Sequence, residues 1–133
     1  MTARREAACR CGGLTAVCEG DPARVAVCHC LACQRRTGSV LSAQAWFPVG
    51  RVTVAGPDRT WSRVSDTGRT ITYRFCPTCG STVIIGHADL PDLIGVAVGA
   101  FADPAFPAPV ASIWEQRRHM WAAISGDGVE HLD

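Results

Sequence analysis

Lysine is absent from this chain, and all thirteen of its basic residues are arginine. That excludes Schiff-base chemistry on a lysine amine, and it excludes a P-loop, whose phosphate-binding lysine is missing. Also missing is any apolar run approaching the roughly 18 residues of a membrane-spanning helix. Nor is there an excess of one charge sign, since 13 basic residues face 12 acidic ones for a formal charge of +1. Nucleic-acid binders neutralise phosphates with a clear basic excess, and this balance speaks against such a partner and against an anionic membrane surface. Residues 1–9 carry charge but none of the apolar h-region of a secretory signal. The expectation is a soluble, cytoplasmic protein with no nucleic-acid and no membrane partner. Its 133 residues, 47% hydrophobic and 19% charged, suffice for one core, so residues 1–133 are expected to form a single domain.

What the chain has in plenty is cysteine, eight in all. Without a secretory signal such a count points to metal or redox chemistry rather than disulfides. Seven of the eight fall into three tight groups: Cys9-Arg10-Cys11, Cys28-His29-Cys30-Leu31-Ala32-Cys33 and Cys76-Pro77-Thr78-Cys79-Gly80. The last has the form of a zinc knuckle, in which Pro77 sets a tight turn, Gly80 permits the backbone that follows, and two thiolates converge on one cation. A closed structural zinc site takes four ligands, and Cys9 and Cys11 are the natural complement, because an i, i+2 pair in extended chain points both side chains one way. A Cys9, Cys11, Cys76, Cys79 site would tie the beginning of the chain to its middle and couple metal binding to folding.

The middle group offers three sulfurs, Cys28, Cys30 and Cys33, one short of a closed tetrahedron. Three protein ligands and an open position is the pattern of a reactive zinc site. Two other readings stay open: a second structural site closed by Cys18, His29, His87 or His119, and a redox cluster without stable metal. In extended chain His29 points away from its flanking cysteines, as a neighbour that orients them. Thiolate-rich zinc sites carry net negative charge, and Arg10, Arg74, Arg35 and Arg36 stand close in sequence to supply cations. Cys18, alone in a strand-like segment, reads as a buried structural thiol.

The remainder reads as short strands punctuated by glycine and proline. Residues 13–18 and 24–28 suggest a hairpin around 19–22, and residues 31–37 a short helix stopped by Gly38. Alternation from residue 40 puts Leu41, Ala43, Ala45 and Phe47 on one face and Ser42 and Gln44 on the other. Further strands are expected at 51–55, 60–65, 70–75 (with Ile71, Tyr73 and Phe75 sharing a face), 82–85 and 93–98, then a proline-bound loop at 103–109 and a final strand at 111–115. No strong signal follows Trp121. The fold class is mainly β, held by zinc knuckles.

With its cysteine groups in this order, the sequence resembles the glutathione-dependent formaldehyde-activating (GFA) family, which includes the centromere protein V-type domain. The resemblance rests on Cys9-Arg10-Cys11-Gly12, on Cys28-His29-Cys30-Leu31-Ala32-Cys33 followed by Thr37-Gly38-Ser39, on Cys76-Pro77-Thr78-Cys79-Gly80, and on Ile113-Trp114-Glu115 with the later Trp121. It implies an Mss4-like (β-tent) fold, a structural zinc on Cys9, Cys11, Cys76 and Cys79, and a second, catalytic zinc on Cys28, Cys30 and Cys33. It also implies a carbon–sulfur lyase resembling S-(hydroxymethyl)glutathione synthase, with glutathione as cosubstrate and formaldehyde or another small aldehyde as its partner. Arg35 and Arg36 are candidates to meet the glutathione carboxylates. Trp46, Trp114 and Trp121 are candidate pocket walls, core packing being the plainer reading of each. The alternative is a non-catalytic zinc-binding module that binds a protein or senses thiols or metal.

Overall fold

The structure, a computed structural model, describes residues 3–133 and is mainly β. Among the described residues eleven strands form two sheets. β1 (Arg4–Ala8), β2 (Thr15–Glu19) and β5 (Val52–Ala55) make a small antiparallel sheet in the order β1-β2-β5. The larger sheet is built from β3 (Arg24–Cys28), β4 (Ser42–Pro48), β6 (Arg59–Val64), β7 (Thr70–Phe75), β8 (Thr82–His87), β9 (Leu93–Ala97), β10 (Ala111–Ile113) and β11 (Glu130–His131). Its order is β11-β10-β3-β4-β9-β8-β7-β6, antiparallel except that β10 runs parallel to both of its neighbours. The one α-helix among the described residues, α1 (Leu31–Thr37), follows β3 and ends at Gly38, whose φ of 71° lets its N–H close the helix on the Gln34 carbonyl.

The core lies where the small sheet packs on one face of the large one. Ala7, Leu14, Ala16 and Cys18 meet Val25, Ala45, Phe47, Ile84 and Val96, and Phe101 packs between Phe47 and Phe106 at ring separations of 6.2 and 4.5 Å. Alternation along β4 does as expected on the core side, where Ala45 and Phe47 are fully buried. Its polar positions are not solvent-facing, however. Ser42 and Gln44 are buried too, with the Gln44 amide donating to Ser42 Oγ at 2.7 Å, because the second face of the sheet is covered as well.

Three sequence expectations need correction. Residues 13–18 and 24–28 are not a hairpin, since β2 pairs with β1 and β5 while β3 pairs with β4 and β10. Asp21 and Pro22 carry the chain from one sheet to the other. The strand at 111–115 is shorter than expected and is not the last, because Glu130 and His131 return to pair with β10. Cys9 and Cys11 are presented by a turn rather than by extended chain: the Gly12 N–H reaches the Cys9 carbonyl at 3.0 Å, with Gly12 at φ 83°.

Candidate metal centres and active-site cavity

The sulfurs of Cys9, Cys11, Cys76 and Cys79 lie within 4.8 Å of one another. The first two come from the β1–β2 turn and the second two from the β7–β8 turn, so the cluster joins the small sheet to the large one. Cys11 Sγ stands 3.6 Å from both Cys9 Sγ and Cys76 Sγ. Four sulfurs around a zinc ion at about 2.3 Å would sit about 3.8 Å apart, so the spacing fits that metal. Backbone N–H groups point at the same sulfurs, Leu14 to Cys9 at 3.2 Å and Thr78 and Cys79 to Cys76 at 3.4 and 3.5 Å, which stabilises thiolates. Thiol acidity is uneven. The Ser81 hydroxyl and backbone, with the Cys11 backbone, hold Cys79 down to about 5, and the Leu14 amide lowers Cys9. At Cys11 the Gly13 amide works in the same direction, but the crowding of Cys76 and Cys9 outweighs it and pushes the thiol up to about 11. Such a set sheds its remaining protons to a thiophilic cation.

Cys28, Cys30 and Cys33 form a second cluster, also within 4.8 Å, and no fourth Cys, His, Asp or Glu joins it among the described residues. Cys28 ends β3, Cys30 caps α1 by accepting the Cys33 N–H at 3.3 Å, and Cys33 lies one turn into the helix. The short helix is thus what folds three cysteines in six residues onto one point. Cys28 hydrogen-bonds to Cys33, driving the acidity of the pair apart. Cys33 falls to about 5, against its burial and helped by Ser42, Cys30 and Arg36, while Cys28 is pushed up as the sharer of the proton, and further up by burial. A pocket that already favours one thiolate and aligns two more sulfurs suits zinc.

Of the residues that sequence reasoning offered as a fourth ligand, none enters this cluster. Cys18 is fully buried in the core, and burial pushes its thiol up to about 11. His29 turns to the opposite side, fully buried, where its Nε2–H donates to Ser112 Oγ at 2.8 Å and Ser112 in turn donates to Glu115 Oε2 at 3.1 Å. Burial lowers the His29 pKa, although Glu115 3.5 Å away favours the cation. Its backbone is pinned as well, the N–H to the Ile113 carbonyl at 3.0 Å and the carbonyl to the Gln34 amide at 2.9 Å. His119 bonds to Gln34 Oε1 at 2.9 Å. His87 lines the same cavity as the three cysteines, and its Nδ1 accepts the Asp89 N–H at 3.2 Å.

That cavity, about 610 Å³, is formed by the covered second face of the large sheet. Period-two positions provide its floor: Arg24, Ala26 and Cys28 on β3, Gln44 and Trp46 on β4, Ile71 and Tyr73 on β7, Ile85 and His87 on β8. The walls are the start of α1, the β6–β7 turn and residues Ile113, Trp114 and Arg117. Trp46 lies across the sheet over Gly95, where an added Cβ would meet its ring at 3.0 Å and the Ile85 carbonyl at 2.9 Å. Trp114 also lines the cavity, whereas Trp121 is 75% exposed and rests edge-on against His119.

Arg35 and Arg36, the sequence candidates for glutathione contacts, do not line the cavity. Arg35 is exposed on α1, and Arg36 lies 4.3 Å over the ring of Tyr73. The arginines that do line it are Arg24, Arg63, Arg69 and Arg117. Arg24 was legible in the sequence, two strand steps of two back from Cys28. Arg63 was not, since it depends on the pairing that sets it opposite Ile71. Arg10 is exposed, and Arg74 is engaged by Asp58 at 2.5 Å.

A crystal structure of a Rhodobacter sphaeroides protein has a similar fold, with a TM-score of 0.55 over 74% of this chain and 91% of that one, at 21% identity. No curated protein matches the chain. The model of one family, the glutathione-dependent formaldehyde-activating enzymes, matches residues 4–117. This span holds both sulfur clusters and the whole of the cavity lining, and the chain belongs to that family.

Proposed function

We propose that this protein is a zinc-dependent carbon–sulfur lyase that joins glutathione, or a similar small thiol, to formaldehyde or another small aldehyde, and releases them in reverse. Cys9, Cys11, Cys76 and Cys79 hold a structural zinc in this reading, and Cys28, Cys30 and Cys33 hold a second, reactive one. Zinc at the second position supplies Lewis acidity and a lowered thiol pKa. The observation that carries the reading is the convergence of three thiols, without a fourth ligand among the described residues, on the wall of a cavity large enough for a tripeptide-sized thiol.

The chain's own groups do the rest. Arg24 and Arg117, exposed where they line the cavity, meet the carboxylates of the thiol, since guanidinium and carboxylate pair through two parallel hydrogen bonds, while Arg69 is engaged by Asp89 at 2.8 Å. Trp46, Trp114 and Leu31 exclude water from the aldehyde, which otherwise hydrates. The His29–Ser112 bond and the Gln34 amide hold the loop between the clustered cysteines in place. The domain of residues 1–133 works in the cytoplasm, a compartment in keeping with eight free cysteines.

Thiols add to formaldehyde unaided, so the test is acceleration. Exchange NMR between free glutathione and its hydroxymethyl adduct, with and without protein, measures it, and native mass spectrometry with millimolar glutathione counts the metal. Faster exchange, lost in Cys33→Ser, together with two zinc ions and a glutathione adduct, is the expected result. Two tightly held ions, no adduct and no acceleration would instead mark a non-catalytic zinc-binding module.

A further inference from the structure

The chain has a single tyrosine, Tyr73. It is 3% exposed in the middle of β7 and lines the same cavity as Cys28, Cys30 and Cys33. Three side chains attend it. The Arg36 guanidinium sits 4.3 Å from the ring centroid, Trp61 stacks on the ring at 5.8 Å, and Arg63 Nε–H donates to the phenol oxygen at 3.0 Å. That bond uses the oxygen as acceptor, and among the described residues no protein group accepts the phenol's own proton. A buried hydroxyl with an idle proton is costly unless a ligand or water takes it. Two arginines on one phenol also exceed what packing asks. Arg36 stands one helical turn beyond Cys33 on α1, and Arg63 lines the same cavity as the three thiols.

We infer that Tyr73 is the catalytic proton donor to the aldehyde oxygen, with Arg63 as its positioning residue. The inference rests on the lyase reading above. When the thiolate sulfur forms its bond to the carbonyl carbon, the π pair moves onto oxygen, and the phenol passes its proton there to give the hemithioacetal hydroxyl. Water returns a proton to the phenolate, matching the one the thiol gave up on ionising. In reverse, the phenolate takes the hydroxyl proton as the C–S bond breaks. Arg63 anchors the phenol oxygen, and Arg36 holds the ring from its face.

Tyr73→Phe, assayed on the metal-loaded full chain with glutathione and formaldehyde, isolates the proton. The expected result is a fall in kcat of roughly 100-fold in both directions, with KM for glutathione and zinc content as in wild type. An unchanged kcat, a rise confined to KM, or a loss of zinc would each overturn the assignment. If this variant fails to fold, Arg63→Met keeps the phenol but not its anchor, and a fall in kcat of roughly 10-fold at constant KM and zinc is required in its place. Should wild type itself fail to accelerate the exchange, the lyase reading falls and this one with it. Acceleration by wild type that Tyr73→Phe retains removes only the role of Tyr73.

Discussion

Cys18 stands outside both sulfur clusters, and its surroundings explain why. It is fully buried on β2 within the core, and burial pushes its thiol up to about 11. At pH 8 it therefore stays a protonated, apolar side chain. Intact-mass analysis after iodoacetamide treatment is expected to find Cys18 unmodified in native protein and modified once denaturant is added. Cys18→Val should change the unfolding free energy by less than about 1.5 kcal/mol and leave zinc content alone, whereas Cys18→Ser, which buries an unpartnered hydroxyl, should cost about 1–3 kcal/mol. Gly95 is a different kind of residue-scale constraint. A methyl group there meets a backbone carbonyl as well as the Trp46 ring, so neither side can yield freely. Gly95→Ala is expected to cost about 1–3 kcal/mol in urea denaturation and to displace the indole that floors the cavity.

Among the elements, the short closing strand β11 has a reach beyond its two residues. His131 bonds to Glu115 Oε1 at 2.5 Å, and Glu115 Oε2 accepts from Ser112, which holds His29 between Cys28 and Cys30. The end of the chain thereby braces the loop that carries the three-sulfur cluster. Partial burial works to raise the Glu115 pKa, yet the bonds from His131 and Ser112 win and hold it below the ordinary 4.5. An unfolded chain then binds more protons in mild acid than the folded one. The stability that Glu115 contributes is complete above its ordinary pKa and lost as pH falls through the lower folded value. Glu115→Gln should lower Tm at pH 7, with the gap from wild type closing as pH drops below the carboxylate range. Little of this was legible in the sequence, because β11 carries no apolar alternation and is a strand through pairing with β10 alone. β7 and the helix after Cys30 were legible, since Ile71 and Tyr73 share the face that lines the cavity and Gly38 ends the helix, but a register shift between Arg74 and Phe75 takes Phe75 out of the alternation expected for it. The failed hairpin marks the limit of local pattern: β2 and β3 have the right lengths and a turn between them, but β2 is held between β1 and β5 and β3 between β4 and β10.

On the scale of the molecule, the two sulfur clusters differ in what they span. Cys11 and Cys76 are 65 residues apart and belong to different sheets, whereas Cys30 and Cys33 are neighbours on one helical turn. A crosslink closing a loop of that size removes about 4 kcal/mol of unfolded-chain entropy, and one across three residues removes less than half as much by the same argument. Cys11→Ser, or chelation of the metal proposed there, should lower the unfolding free energy by about 4 kcal/mol or more, while Cys30→Ser should cost far less. Urea denaturation of the two variants separates a clamp from a reactive site. The sulfur groups themselves were plain in the sequence, but that the first and last groups lie together depends on the β1–β2 and β7–β8 turns meeting in space. The same separation sets an order in time. During synthesis at about 5–20 residues per second, Cys9 and Cys11 emerge roughly 3–13 s before Cys76. For that interval the leading pair has no partner to gather with, so a nascent chain meets an oxidant with two sulfurs apart from their group, and the finished one meets it with all four together.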